Sequence, residues 1–138
     1  MSDKIFTLEE AEKLIPQLEK IVENVIYNKN NAMDIGKELV EVQNQLRSGK
    51  ASIGAIELAN KQTELEFLVK VINEGLEAIE DLGCQPKDLD IGLIDFPTLL
   101  DGQEVLLCWK YGEKSIDFYH GLYEGFAGRK PLQRSYAS

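Results

Sequence analysis

Apolar residues recur at alternating steps of three and four near the start of the chain, and this spacing constrains the fold more than any other feature. The run consists of Leu8, Ala11, Ile15, Leu18, Val22 and Val25. Such spacing lays one apolar stripe along a helix and is typical of helices that pack against other helices. Thr7 and Glu10 form a T-x-x-E capping box, which predicts that the first helix begins at about Leu8.

Two features modify this first helix. Pro16 lies inside the stripe and has no backbone N–H to donate to the preceding turn, so it predicts a bend near residues 11–12 rather than a helix end. The apolar pattern is interrupted at residues 27–36 and then resumes. We therefore expect a stutter or break in one long helix that continues to about Arg47.

A second helix is predicted from about Ala55 to Leu82, after the turn SGKASIG at residues 48–54, with Gly83 as its left-handed cap. Two long helices of this kind carry more apolar surface than a small sheet covers, and such surface marks oligomer interfaces. We therefore expect a homodimer through the helical hairpin, with the stripe from Leu8 to Val25 in the contact.

The character of the chain changes after Gly83. Short apolar runs, separated by the turn signals Asp101-Gly102 and Gly112-Glu113 and by Pro97, predict an antiparallel sheet of three or four strands. These runs are DIGLIDFP, QEVLLCWK and KSIDFYH. The predicted fold class is α+β, a coiled-coil-like helical hairpin followed by a small β-meander.

The length of 138 residues predicts a single domain. Within it we expect the helical hairpin at residues 7–82, the sheet with a glycine-rich loop at 84–132, and a frayed tail at 133–138.

Charge and composition exclude several classes of function. The net charge of −9 disfavours nucleic-acid binding, which needs a positive surface. The longest apolar run, VLLCW, is far too short to span a membrane, and the N-terminus has no secretory pattern. Two cysteines, Cys84 and Cys108, favour a cytoplasmic protein with reduced thiols, although a single bridge between them is an alternative.

Three segments carry a family resemblance: FTLEEAEKLIP, GLIDFPTLLDGQEVLLCWKYGE and HGLYEGFAGRKPL. Together they resemble a prokaryotic family known only as a domain of unknown function, over essentially the whole chain. The sequence departs from that family at Tyr119, where tryptophan is usual, and at Lys110, where arginine is usual. The resemblance implies a small, soluble bacterial or archaeal protein, and it brings no activity with it.

The predicted meander concentrates potential ligands for a divalent metal, which needs three or four N, O or S donors from different elements. The candidates are Asp95, Cys108, Glu113 and His120. Strand alternation places Cys108 and His120 on one face only if the loop between their strands has an odd number of residues; with an even loop His120 falls beside Leu107 and Trp109. The alternative to a metal site is a buried cysteine and a histidine hydrogen-bonded to a nearby carboxylate.

A catalytic pair of Cys108 and His120 is less favoured, because Cys108 lies in an apolar run where burial raises the pKa of a thiol. No G-x-S-x-G motif is present. The sequence therefore identifies no catalytic residue and leaves open whether the protein is an enzyme.

The loop GFAGRKP is a candidate anion-binding site. Gly125 and Gly128 permit positive φ and close backbone approach, and Arg129 and Lys130 supply positive charge for a carboxylate or phosphate. Trp109 is a candidate wall of the same site, and packing in the core is the favoured alternative for this side chain. The alternative is a tight turn in which Arg129 pairs with a helix carboxylate such as Glu66 or Glu74.

These patterns predict that residues 118–132 border the main pocket, with His120 and Arg129 facing it. The function they favour is a cytoplasmic, homo-oligomeric binding or structural module with an anion or small-ligand site at the C-terminal sheet. The alternative is a small metal-dependent enzyme, a hydrolase, that uses Asp95, Glu113 and His120.

Overall fold

The computed structural model describes residues 4–49 and 54–133, which form three helices followed by a five-stranded sheet. The helices are α1 (Leu8–Lys13), α2 (Ile15–Arg47) and α3 (Ala55–Asp81), and the strands are β1 (Gln85–Asp88), β2 (Leu93–Leu100), β3 (Gln103–Lys110), β4 (Phe118–His120) and β5 (Lys130–Pro131). The strands lie in the order of the chain, and all neighbours are antiparallel. The α+β prediction with a helical hairpin is confirmed. The tail predicted at 133–138 lies outside the described residues, apart from Gln133.

The first helix begins where the capping box predicts. The Glu10 N–H donates to the Thr7 hydroxyl, and the Thr7 N–H donates to the Glu10 carboxylate. The predicted bend is instead a break, since α1 ends at Lys13 and α2 starts after Leu14. Pro16 therefore lies in the first turn of α2, where a missing N–H costs no helical hydrogen bond. The predicted interruption at residues 27–36 does not break α2.

The apolar stripe of α1 and α2 packs inside its own chain. Leu18 and Val22 belong to one buried cluster with Ile79 of α3 and the sheet residues Phe96 and Trp109. The chain's own sheet and third helix thus cover this stripe, and the homodimer through the helices stays a prediction. Heptad spacing reports a buried helix face and does not say which element buries it.

Beyond the sheet, α2 and α3 continue as a two-helix projection, which we call the arm and define as residues 27–47 and 55–71. A second, smaller cluster of Ile35, Leu39 and Leu68 fills its interior. With 33 residues, α2 is about 50 Å long, so the arm extends well past the main core.

Tight turns set the register of the sheet. Asp101 and Gly102 both have positive φ, 52° and 78°, and join β2 to β3 as a two-residue hairpin of the predicted kind. Gly112 also has positive φ, 99°, in the connection between β3 and β4. The sheet has five strands rather than the predicted three or four, because the short edge strands β1 and β5 are polar and carry no apolar alternation.

Pro97 lies in the middle of β2 and does not bound it, contrary to expectation. Its carbonyl accepts the Phe6 N–H at 2.7 Å, so its backbone groups face the N-terminal segment rather than β3. Proline fits there because that side of the strand needs no donor from it. Thr98 fixes the same segment by donating its hydroxyl to the Phe6 carbonyl.

Among residues 4–49 and 54–133, no helix combines the length and the hydropathy that crossing a bilayer requires.

Candidate functional site

Asp95, Cys108 and His120 lie together on the face of the sheet that points away from the helices. Asp95 of β2 is directly opposite Cys108 of β3, and His120 of β4 is opposite Leu106, two residues along from Cys108. Their neighbours in the strands, such as Phe96 and Trp109, point to the other face and into the main core. The two faces thus separate an apolar core from a polar cluster.

The position of His120 follows from the connection between β3 and β4. Residues 111–117 form this connection, an odd number, and the register pairs Cys108 with Phe118. His120, two residues after Phe118, therefore projects to the same face as Cys108. The sequence left this parity open, and the structure selects the alternative that joins the two side chains.

The three side chains approach closely and are almost fully buried. One ligand atom of each, the sulfur of Cys108, an oxygen of Asp95 and a ring nitrogen of His120, lies within 4.8 Å of the other two. His120 Nε2 is 2.9 Å from Asp95 Oδ2, and both side chains are 1% exposed. The contact is an ion-pair distance without regular hydrogen-bond geometry, and among the described residues the polar neighbours of the Asp95 carboxylate are His120 and Cys108.

The second ring nitrogen of His120 fixes the orientation of the imidazole. Nδ1 lies 2.9 Å from the carbonyl oxygen of Gly121. Because a carbonyl can only accept, Nδ1 carries the hydrogen and donates it. In the neutral imidazole Nε2 then holds the lone pair and presents it to the cluster.

Burial shifts the pKa values of both acidic members of the cluster. Desolvation raises the pKa of Asp95, and His120 opposes that rise. Desolvation, with a contribution from the charge of Asp95, raises the pKa of Cys108 to about 12. Cys108 is thus a thiol at neutral pH. His120 directs Nδ1 to a backbone carbonyl and Nε2 toward Asp95. Neither feature favours a nucleophilic cysteine–histidine pair.

Glu113, the fourth metal candidate, is engaged elsewhere. Its carboxylate accepts the Lys110 N–H at 2.7 Å and the Arg129 Nη2 at 2.9 Å from each oxygen. Its backbone carbonyl accepts the indole N–H of Trp109 at 2.8 Å. Glu113 organises the turn after β3, a role that sequence reasoning missed because nothing in the spacing links it to Arg129.

The glycine-rich loop also differs from its expected form. Gly125 has φ −122°, and Gly128 is not among the described residues with positive φ. A Cβ on Gly128 would lie 3.0 Å from two atoms of Glu124, so close packing against that side chain favours glycine there.

The two basic residues of this loop are paired. Arg129 binds Glu113 rather than a helix carboxylate such as Glu66 or Glu74, and its guanidinium lies 4.0 Å from the centre of the Phe118 ring. Lys130 pairs with Glu124.

A groove of about 850 Å³ lies at the end of the sheet, beside the N-terminal segment. Tyr119, Pro131 and Leu132 line it, together with residues 5–8 and 98–101. His120 and Arg129 are not among the lining residues, so this groove differs from the pocket that the sequence suggested. Trp109 is fully buried on the helix-facing side.

The helical hairpin and the five-stranded antiparallel meander define an α+β protein. Its sheet carries a buried Asp–Cys–His cluster. The chain belongs to the family described as uncharacterized conserved protein (DUF2203), whose model matches residues 4–132. This confirms the resemblance to a domain-of-unknown-function family, while a prokaryotic origin stays a prediction. No curated protein and no solved structure matched the chain.

Proposed function

We propose that the protein is a homo-oligomeric structural module whose arm is the contact between copies. One observation carries this proposal: within residues 4–49 and 54–133, most of the large apolar side chains that are exposed to solvent lie on the arm. They are Tyr27, Met33, Val40, Leu46, Ile56, Phe67 and Val69. Ile56 and Phe67 are 80% and 63% exposed, which is unfavourable for side chains of this size in an isolated subunit.

The small interior of the arm supports the same proposal. Ile35, Leu39 and Leu68 form its buried centre, with only partly buried neighbours around them. Helices in proteins owe most of their stability to the packing of an apolar face, and two helices alone offer little of it. A second copy supplies the missing surface.

The nearly balanced charge of the arm allows two copies of the chain to approach each other there. Residues 27–47 contain three basic and three acidic side chains, and residues 55–71 contain two basic and three acidic ones. The arm thus has a net charge of −1, against −9 for the whole chain. Like-charged copies repel each other least where their charges nearly cancel.

The other functions considered from the sequence receive less support. A hydrolase that uses Glu113 would need a carboxylate that Arg129 and Lys110 already occupy. An anion site at the glycine-rich loop would need Arg129 and Lys130, which are paired with Glu113 and Glu124. We therefore retain the assembly function, with a cytoplasmic location as its expected setting.

Sedimentation velocity over about 1–100 μM protein tests this proposal. We expect the wild-type chain to form dimers or larger oligomers at micromolar concentration. Phe67→Lys and Leu46→Lys should weaken association at least about tenfold, because each places a charge in an apolar contact. Both side chains are exposed in the subunit, so the variants should keep its fold.

Leu99→Lys is the matched control. Leu99 lies on the sheet and is 49% exposed, almost the same as Leu46 at 50%. It should associate like the wild type. A wild-type chain that is monomeric at 100 μM would contradict the proposal, and so would equal losses of association in the Leu46 and Leu99 variants.

A further inference from the structure

We propose that Asp95, Cys108 and His120 bind a divalent transition metal of the zinc class in a closed, structural site within the sheet. The site is independent of the arm and of the proposed assembly.

Strand pairing brings the ligand atoms together without any loop. The Pro97 carbonyl accepts the Phe6 N–H, so the backbone groups of Pro97 point away from β3. Because these directions alternate along a strand, the backbone groups of Asp95, two residues earlier, also point away from β3. Asp95 and Cys108 are thus a non-hydrogen-bonded pair, the type in which opposite side chains lie closest. A site built on three adjacent strands is rigid, as a selective metal site requires.

Buried polar atoms without regular hydrogen bonds indicate that the cluster is completed by something other than hydrogen bonds. Both oxygens of Asp95 and Nε2 of His120 lack a hydrogen bond of regular geometry among the described residues, and the polar neighbours of Asp95 are the other two members of the cluster, with His120 Nε2 at 2.9 Å from Oδ2. A buried carboxylate that is held by so few polar contacts is unfavourable. Sulfur, nitrogen and oxygen donors that converge within 4.8 Å of one another in a buried position form an arrangement that a cation stabilises.

The outer contacts of the ligands match those of metal-binding residues. A histidine that ligates a metal through one nitrogen usually donates its other N–H to a carbonyl or carboxylate, which fixes the ring. His120 makes such a contact through Nδ1 with the Gly121 carbonyl. The backbone carbonyl of Cys108 accepts a long contact of 3.4 Å from Arg129 Nη2, which ties the ligand strand to β5.

The donor set and its charge select the metal class. One sulfur, one nitrogen and one or two carboxylate oxygens suit zinc and related transition metals, whereas magnesium and calcium prefer all-oxygen sites. A thiolate, a carboxylate and a neutral imidazole carry two negative charges, which a divalent cation neutralises. With both Asp95 oxygens the three residues offer four donor atoms, and the burial of all three side chains closes the site to solvent.

Reconstitution of the full-length protein tests the proposal. Protein treated with a chelator is titrated with Co²⁺ or Zn²⁺, and metal content is measured after gel filtration. We expect about one equivalent bound, a thiolate-to-cobalt absorption band in the near ultraviolet, and a higher unfolding temperature with Zn²⁺. Cys108→Ser and His120→Gln should each weaken binding at least about 100-fold.

Cys84→Ala is the matched control, since Cys84 is also buried but lies in the helix-facing core, and its loss leaves Cys108 as the single thiol. This variant should keep both the stoichiometry and the thiolate band. Less than a tenth of an equivalent in the wild type, or a band that persists in Cys108→Ser, would overturn the proposal. If Cys108→Ser does not fold, Cys84→Ala decides: its band supports the site, and the absence of the band refutes it.

Discussion

Glu113 binds Arg129 through Nη2, at 2.9 Å from each carboxylate oxygen, and so joins the turn after β3 to the segment that leads into β5. The same carboxylate accepts the Lys110 N–H. One side chain therefore holds two parts of the sheet that are 16 residues apart in the chain.

Glu113→Ala should lower the free energy of unfolding by about 2–3 kcal/mol, because it removes charge-assisted hydrogen bonds and leaves Arg129 without its carboxylate. Urea unfolding monitored by circular dichroism measures the loss. Lys13→Ala is the control, since Lys13 pairs with Glu9 on the exposed face of α1 and should contribute less than about 0.5 kcal/mol. Equal losses in the two variants would show that the Glu113 network contributes no more than a surface ion pair.

Alanine substitutions at Gly92 and Gly102 distinguish the cost of backbone strain from the cost of side-chain crowding. Both have positive φ, but a Cβ on Gly92 would lie 2.6 Å from Cβ of Tyr111 and 3.0 Å from Val22, whereas nothing lies within 4 Å at Gly102. Gly102→Ala should cost about 1 kcal/mol, and Gly92→Ala at least about 2 kcal/mol more. Urea unfolding of both variants gives the difference. Losses of the same size would mean that the Gly92 turn can shift away from Val22.

The Cys84 thiol should make the free energy of unfolding decrease at alkaline pH. Burial raises the pKa of its thiol to about 12, above its ordinary value of 9.0. Between these values the unfolded chain loses the proton while the folded chain keeps it, so stability is full below about pH 9 and falls as the pH rises. The slope should approach 1.4 kcal/mol per pH unit.

Comparison of the wild type with Cys84→Ala, by urea unfolding from pH 8 to pH 11, isolates this contribution from that of Cys108. The variant should lose stability less steeply above pH 9. Parallel curves for the two proteins would be incompatible with a raised pKa at Cys84.

Leu18→Glu should unfold the subunit rather than dissociate an oligomer. Leu18 of α2 is fully buried against α3 and the sheet, so a carboxylate there loses its hydration without gaining a partner. We expect a loss of at least about 4 kcal/mol, seen as reduced helicity in circular dichroism. A folded, monomeric Leu18→Glu variant would instead return the stripe from Leu8 to Val25 to the interface.

Local signals in the sequence predicted the elements well. The capping box located the start of α1, and Gly83, with φ 92°, follows α3 as expected. The Asp101-Gly102 turn fixed the central hairpin. In each case the information lies within a few neighbouring residues, whose backbone preferences act before any tertiary contact forms.

Relationships between distant segments were harder to predict. The stripe from Leu8 to Val25 is the same whether a second chain or the chain's own sheet covers it. Whether Asp95, Cys108 and His120 meet depends on the length of the connection between β3 and β4. The turn residues in the sequence do not define that length to within one residue. Arg129 had many acidic residues as candidate partners, and only the path of the chain selects Glu113.

Pro86 and Pro131 lie in the two edge strands, and Pro97 occupies the part of β2 that β1 does not cover. Proline lacks the donor that an incoming strand would need, and edge prolines are a common defence against pairing between sheets. Pro86 and Pro131 thus lie where an added strand would need a donor, and the N-terminal segment covers β2 at Pro97. The edges of the sheet therefore disfavour pairing with the backbone of another strand.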